Sequence, residues 1–517
     1  RVELRLSTAK RSRHGTKIAQ QMPAWLAGMM GVAAKNLQEL EQRAAFELEC
    51  LAYPSRPWVI PRRHNGEPVF DALIIGGGQS GVTIAFHLLR ERVTNIRVLD
   101  RNREGLEGPW ITFARMHTLR TPKDVVGPEL GFPSLSARAW YEAQFGENSW
   151  ASVGKIPRTL WHQYLGWLRR TAGIDVTHGA EATDIEPIAG GIFAVTVDIG
   201  GTPQILFTRN VVLATGLEGS GRWIVPDMIS KALPPERYAH TSEAIDFSAL
   251  AGRRVAVIGA GASAFDNAAV ALEHGAAAVD LFCRRQKLPI VNPNRWIEFN
   301  GFLRHFADLP DATRWRFIKY MFDVNQPPPQ DAFERCTRFE NFTLRMGCPI
   351  QDVSLADGLI QLTTPQGVSG ADYLVAGTGF AIDFTVRPEL RRIEAQIARW
   401  SDRYRPPPGE KNERLGGYPY LSDHFQFSEK VPGAAPYLKH VFCYTYAATA
   451  SLASTAGISQ LKFGADRISF GITRELFLDD ADAYFADLCA YCEPELDTSA
   501  YDAGRPQPAA QSRRVSR

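Results

Sequence analysis

The sequence has no run of eighteen apolar residues, so it offers no segment able to cross a bilayer as a helix. Nor does it carry an excess of one charge: 58 basic side chains stand against 56 acidic ones, and no nucleic-acid surface is announced. Cysteine is scarce and scattered. Seven in 517 residues, an odd number, read as reduced thiols of an intracellular protein and not as a disulfide framework. Cys489 and Cys492 form the only close pair, without a second pair or nearby histidines, so a structural role is expected in place of metal or redox chemistry. No carboxylate pair, Ser-His-Asp set or metal cluster stands out.

What is present is 45% hydrophobic residues, enough for real cores, in a length that suits roughly two to four domains. The chain is organised around Asp71-Ala-Leu-Ile-Ile-Gly76-Gly-Gly78-Gln79-Ser80-Gly81. The apolar residues predict a short buried parallel strand, and Val82 to Leu89 continue with helical spacing. In such a G-x-G-x-x-G turn, Gly76 permits the bend, Gly78 lets a pyrophosphate approach, and Gly81 lets helix and strand pack closely. The helix N-terminus presents free N–H groups to phosphate. A second strand ends in Asp100, 24 residues after Gly76, where a carboxylate suits a ribose, with Arg101 beside it.

The unit is repeated. Arg253 to Ile258 predicts a strand that enters Gly259-Ala-Gly261-Ala-Ser263-Ala264, and the next strand ends in Arg284-Arg285 where the first unit has an acid. Two guanidiniums at that position suit a 2′-phosphate, which favours NADPH over NADH. The two nucleotide turns predict an α/β fold of two Rossmann-like domains, the second inserted in the first. Between them, Ile192–Val197 and Ile205–Arg209 have the pattern of antiparallel strands, and Asn210 to Gly216 that of a buried strand with a small-residue turn. Asp372 to Gly379 repeats that strand and turn.

The expected division is an N-terminal extension with one helix (1–69), a first FAD-binding part (70–230), an NADPH-binding domain (231–370), a second FAD-binding part with the substrate site (371–480), and a C-terminal helix with a disordered tail (481–517). Leu37, Leu40, Ala44, Leu48 and Leu51 share one face of the helix in the extension.

In this order of motifs the chain resembles the FAD- and NADPH-dependent single-component monooxygenases over residues 70–475. That group includes flavin-containing and Baeyer–Villiger monooxygenases and the ornithine and lysine N-hydroxylases. Arg120-Thr-Pro-Lys123, Pro157-Arg158 and Tyr164-Leu-Gly-Trp167 are similar to the flavin and substrate loops of the N-hydroxylases, and Gly457-Ile458-Ser459 to their isoalloxazine turn. The Baeyer–Villiger signature is broken at Pro234 and Glu236 before His240, and Ala456 replaces the N-hydroxylase histidine.

The resemblance implies that NADPH reduces FAD, that O₂ adds at flavin C4a, and that the hydroperoxide gives one oxygen to a small polar substrate. N-hydroxylation of an amine or amino acid is favoured, with hydroxylation of a purine such as urate as the alternative. The cofactor carries the chemistry and the site supplies orientation.

Trp110 is expected beside the flavin or in the core, and Lys123 and Arg158 against the flavin or a substrate anion, with a solvated surface role as the alternative. Asn292 or Asn294 is expected to hold nicotinamide or substrate, with a turn role as the alternative. Gly216 and Gly379 are expected in turns between the domains. A disulfide reductase would need a redox pair near the flavin, and no Cys lies between Cys50 and Cys283. A non-catalytic flavin-binding sensor would keep the same folds without oxidising NADPH.

Residues 1–20 are basic with Glu3 as their single acid, and Met22–Ala34 is a short apolar run. Because the chemistry needs reduced nicotinamide, a cytoplasmic enzyme with an extension or an overlong gene start is expected. Partners are the small substrate and O₂, with no nucleic acid and no membrane, and the sequence leaves homo-oligomerisation open.

Overall fold

Asn36 caps the first helix, α1 (Leu37–Cys50), by accepting from the Glu39 N–H at 2.9 Å, and Leu40, Ala44 and Leu48 of that helix are buried. The structure, a computed structural model, describes residues 34–53, 56–453 and 457–502. The basic stretch, nearly all of the apolar run, Ala456 and the tail beyond Asp502 lie outside the described residues.

Four consecutive buried residues form β1 (Ala72–Ile75). It runs through the glycine turn into α2 (Gln79–Arg90), then to β2 (Ile96–Asp100). A segment rich in aromatics, through Trp140, Tyr141, Phe145 and Trp150, leads to α3 (Arg158–Thr171), then to β3 (Val176–His178) and β4 (Val211–Leu213). The expected antiparallel pair is larger than its pattern announced. Ala180–Ile188, Ile192–Ile199 and Thr202–Thr208 form a meander, which Arg62–His64 and Glu67–Phe70 extend to five strands.

The second unit holds β5 (Tyr238–His240), β6 (Arg254–Ile258), α4 (Ala262–Glu273) and β7 (Ala278–Phe282). Helix α5 (Gln330–Thr337), β8 (Phe342–Arg345) and β9 (Tyr373–Ala376) follow. Its sheet is parallel in the order β5-β9-β6-β7-β8. The expectation that β9 opens the returning segment at residue 371 is corrected here: β9 pairs on both sides within the second sheet. Its position is fixed by the Asp372 carboxylate, which accepts from the Arg254 backbone at 2.8 Å and side chain at 3.0 Å.

The chain crosses between the units twice, and the crossings pair with each other as Gly221–Trp223 against Phe380–Ile382. Gly221 has φ +156, and a Cβ there would lie 2.1 Å from the Ala381 carbonyl oxygen, so the pairing needs glycine.

The chain returns through β10 (Val441–Cys443) and continues into α6 (Leu461–Asp479) and the exposed helix Ala481–Ala490. The first sheet is then parallel throughout, in the order β10-β4-β1-β2-β3, with β1 in the middle and buried on both faces. Helical residues inserted after β7 do not all stay with the second sheet: Phe306, Trp315 and Ile318 share a core with Trp400 and Tyr418. Among the described residues all seven cysteines are free, and no helix is long and apolar enough to cross a membrane.

Candidate flavin and nucleotide sites

The first turn is shaped by what would collide there. Gly76 has φ +110, and a Cβ would meet the Ala214 oxygen at 2.4 Å; one on Gly81 would lie 1.8 Å from the Gly76 oxygen. Gly78 differs, since its nearest neighbour is backbone of Gly108 at 3.8 Å, which leaves an open cradle at the N-terminus of α2. Among the described residues no side chain caps that terminus. The first N–H groups of a helix have no partner within it and are the donors a pyrophosphate takes.

A cavity of about 410 Å³, in the range of small-molecule sites, opens over this turn. Gly76, Gly78, Gln79 and Ser80 line it, with Asp100 and Arg101 from the end of β2. Trp110 and Gly216 line it as well, while Gly81 packs behind them. The Asp100 carboxylate accepts from the Gly77 N–H at 2.9 Å and the Asn102 N–H at 2.8 Å, so each oxygen keeps a lone pair for a ribose hydroxyl. Arg101 donates to Glu218 at 3.1 Å.

Glu218 and Thr215, beside the expected Gly216, also line the cavity, as do Tyr446, Arg387 and Glu389 from the far end of the chain. The Arg387 guanidinium is held by the buried Glu389 carboxylate at 2.9 Å. No sequence signal marks Arg387 or Glu389, because only the return of the chain brings them to the cavity.

The residues expected in the flavin loop are tied together one step away from this lining. Gln79 accepts from the Trp161 indole at 3.2 Å, and Trp161 meets Trp110 edge to face at 6.4 Å. Trp110 is 8% exposed, so it serves the cavity wall and the core at once. Arg158 donates to the Trp110 carbonyl, and burial together with the Arg335 charge lowers the Arg158 pKa. The Lys123 ammonium donates to the Trp150 carbonyl at 2.5 Å and sits 5.4 Å from that indole ring. His117 is exposed and lies 3.7 Å from Glu273. Gly457 precedes a single 3-10 turn that leads into α6, and Ile458 is buried. Lys123, Arg158, Gly457 and Ile458 do not line the cavity.

The second turn repeats the first with one opening. Gly259 has φ +115, and a Cβ would lie 2.2 Å from the Gly377 oxygen, whereas nothing lies within 4 Å of one on Gly261. Ala264, third in α4, packs so closely on Gly377 that a Cβ there would approach it to 2.7 Å. Ser263 is exposed in the first turn of α4. Arg284 is exposed and Arg285 half-buried just beyond β7. The Gly379 carbonyl accepts from Ile224 N–H and the His240 ring, both at 3.0 Å, which anchors the crossing strands.

Asn292 caps a short helix by accepting from the Asn294 N–H at 3.0 Å, and the exposed Asn294 amide donates to Gln326 at 3.1 Å. Neither lines the cavity.

A family model described as FAD-NAD(P)-binding matches residues 73–218. The chain is 42% identical over 463 residues to the FAD-dependent urate hydroxylase of Xanthomonas campestris pv. campestris, spanning 89% of this chain and 97% of that protein. Its fold is shared with the ornithine hydroxylase of Pseudomonas aeruginosa (TM-score 0.63, 17% identity, 79% of this chain and 100% of that one). It is shared also with the L-lysine 6-monooxygenase of Pseudomonas syringae (TM-score 0.59, 20% identity, 78% and 99%). Two dinucleotide cradles of this geometry and a relative of that identity and extent give one conclusion: the chain belongs to the FAD- and NAD(P)H-dependent flavoprotein monooxygenases.

Proposed function

We propose that this enzyme hydroxylates a purine-type nitrogen heterocycle such as urate, consuming NADPH and O₂. The observation that carries the reading is the 42% identity to a urate hydroxylase across 97% of that protein. Bound FAD would take electrons from the nicotinamide and deliver one atom of O₂ to the substrate, and the other leaves as water. The chain's own groups bind, orient and exclude solvent.

The open face of Gly78 and the N-terminus of α2 support a role in holding the FAD pyrophosphate, and Asp100 one in holding its ribose. Trp110, in the cavity wall, would cover the flavin, and Arg158, bonded to the Trp110 carbonyl, would hold it there. Gly261 and the start of α4 would receive the second pyrophosphate. The exposed Arg284 and half-buried Arg285 support the choice of NADPH, since a 2′-phosphate matches a guanidinium pair. Of the two asparagines, Asn294 is the more exposed and would meet nicotinamide or substrate by giving up its bond to Gln326, whereas Asn292 caps a helix. Demand for reduced nicotinamide supports a cytoplasmic location.

N-hydroxylation of an amine or amino acid is the second reading. It rests on the similar loops at Arg120–Lys123 and Gly457–Ser459 and on the fold shared with amino-acid hydroxylases. The deciding experiment follows NADPH oxidation in air with urate, ornithine, lysine and a diamine in turn, scored by product mass. NADPH loss in step with urate consumption and its breakdown products is the expected outcome. An ornithine, lysine or diamine product heavier by one oxygen would replace the purine reading by the second one. No NADPH loss with any substrate would overturn both.

A further inference from the structure

Hydride transfer between two bound nucleotides requires their reacting atoms within about 3–3.5 Å of each other. The two cradles stand on different sheets with separate hydrophobic cores. Their alignment therefore depends on the groups that join flavin loop to nicotinamide unit.

One chain of contacts runs from turn to turn. Gln79, in the first glycine turn, is bonded to Trp161 of α3 at 3.2 Å. The start of α3 holds the flavin loop: Arg158 N–H donates to the His117 carbonyl at 3.1 Å, and Leu119 N–H to the Ile156 carbonyl at 2.8 Å. The next residue, Arg120, reaches across to Asp266 at 2.9 Å. Asp266 is the fifth residue of α4, the helix that opens at the second glycine turn, and it is 3% exposed. Its other oxygen lies 3.5 Å from Arg335 of α5, which is itself paired with Glu273 at 2.8 Å. Arg295 closes the arrangement by donating to the Arg120 carbonyl at 2.9 Å.

We infer that Asp266 is a positioning residue for flavin reduction, holding Arg120 and with it the flavin loop in register with the nicotinamide-binding helix. The inference rests on the two-nucleotide reading above. A buried carboxylate between two guanidiniums has one favourable geometry, since displacing it would leave a charge unpaired in a desolvated place. It does not line the cavity at the first turn, and its two oxygens are taken up by Arg120 and Arg335, so its loss should leave binding intact and change alignment.

The test is anaerobic reduction of the FAD-loaded enzyme by NADPH, followed by stopped flow, in the wild type, Asp266→Asn, Arg120→Gln and the double variant. Arg120 is 41% exposed, so its replacement keeps the test open should the Asp266 variant fail to fold. FAD content and the apparent Kd for NADPH are expected to stay within about twofold of wild type. The limiting reduction rate is expected to fall by about tenfold or more in each single variant, with the double variant no slower. Asp266→Glu should recover part of the rate. Rates within about twofold of wild type in the variants would overturn the inference, as would loss of FAD or a raised Kd in place of a rate change. A wild-type flavin that NADPH does not reduce would overturn the two-nucleotide reading itself, and the inference with it.

Discussion

At the residue scale, glycines of the two turns are constrained by different things. Gly81 is fixed by the protein, because a methyl group would occupy the space of the Gly76 carbonyl oxygen 1.8 Å away. Gly261 meets nothing of the protein within 4 Å, so its smallness is left for a ligand. Gly81→Ala should therefore destabilise the first unit by about 1–3 kcal/mol and yield protein depleted of FAD, measured by melting temperature and by the flavin-to-protein absorbance ratio. Gly261→Ala should melt with the wild type and keep its FAD, yet show a KM for NADPH raised about tenfold or more; an unchanged KM would place the pyrophosphate elsewhere. The arginine pair makes a sharper claim about which nucleotide is used. With Arg284 and Arg285 both replaced by Ala, kcat/KM for NADPH should fall by roughly 10- to 100-fold, the loss of one or two charge-assisted hydrogen bonds. NADH kinetics should stay within about twofold, and an equal loss with both nucleotides would count against the 2′-phosphate role.

At the element scale, β1 is preceded by a buried acid, Asp71, whose Oδ1 has no hydrogen-bond partner among the described residues. Burial pushes its carboxyl up from 3.8 to about 7, against the pull of Arg209. The folded state thus holds this proton more tightly than the unfolded chain does, and ionising the group costs stability as pH rises from about 4 to about 7. Asp71→Asn removes that cost. The stability of the Asp71→Asn variant relative to wild type, from chemical denaturation at a series of pH values, should climb through that window and level off above it. A flat difference would mean that Asp71 finds a partner when ionised. Both glycine turns were legible because strand, glycines and helix are contiguous in sequence, so local sterics alone specify them. The membership of β9 was not, since an apolar run bounded by glycines fits either sheet; the Arg254–Asp372 bond and the Gly377–Ala264 contact decide it. Arg387, Glu389 and the Arg120–Asp266 pair were illegible for the same reason, as each acquires its partner or its cavity only through tertiary return.

At the scale of the whole molecule, the first sheet's core draws its buried residues from the chain up to Ala214 and from Phe384 onward, while the second is built within residues 229–376. The aromatic cluster of Phe306, Trp315 and Trp400 ties part of the insertion to the returning segment. Two cores joined by two crossings, one aromatic cluster and a few ionic links should unfold as two cooperative units. A ligand stabilises only the unit that binds it, and at a concentration of 100 Kd the gain is about 2.7 kcal/mol. For a unit of this size that is about 5–10 °C in Tm. Calorimetry of FAD-stripped protein should therefore show two transitions, the one for the first sheet rising by about that amount with FAD and the other with NADP+. A single transition that rises with either nucleotide would show that the crossing strands and the Asp266 link weld the cores into one unit, and binding at one cradle would then stabilise the other.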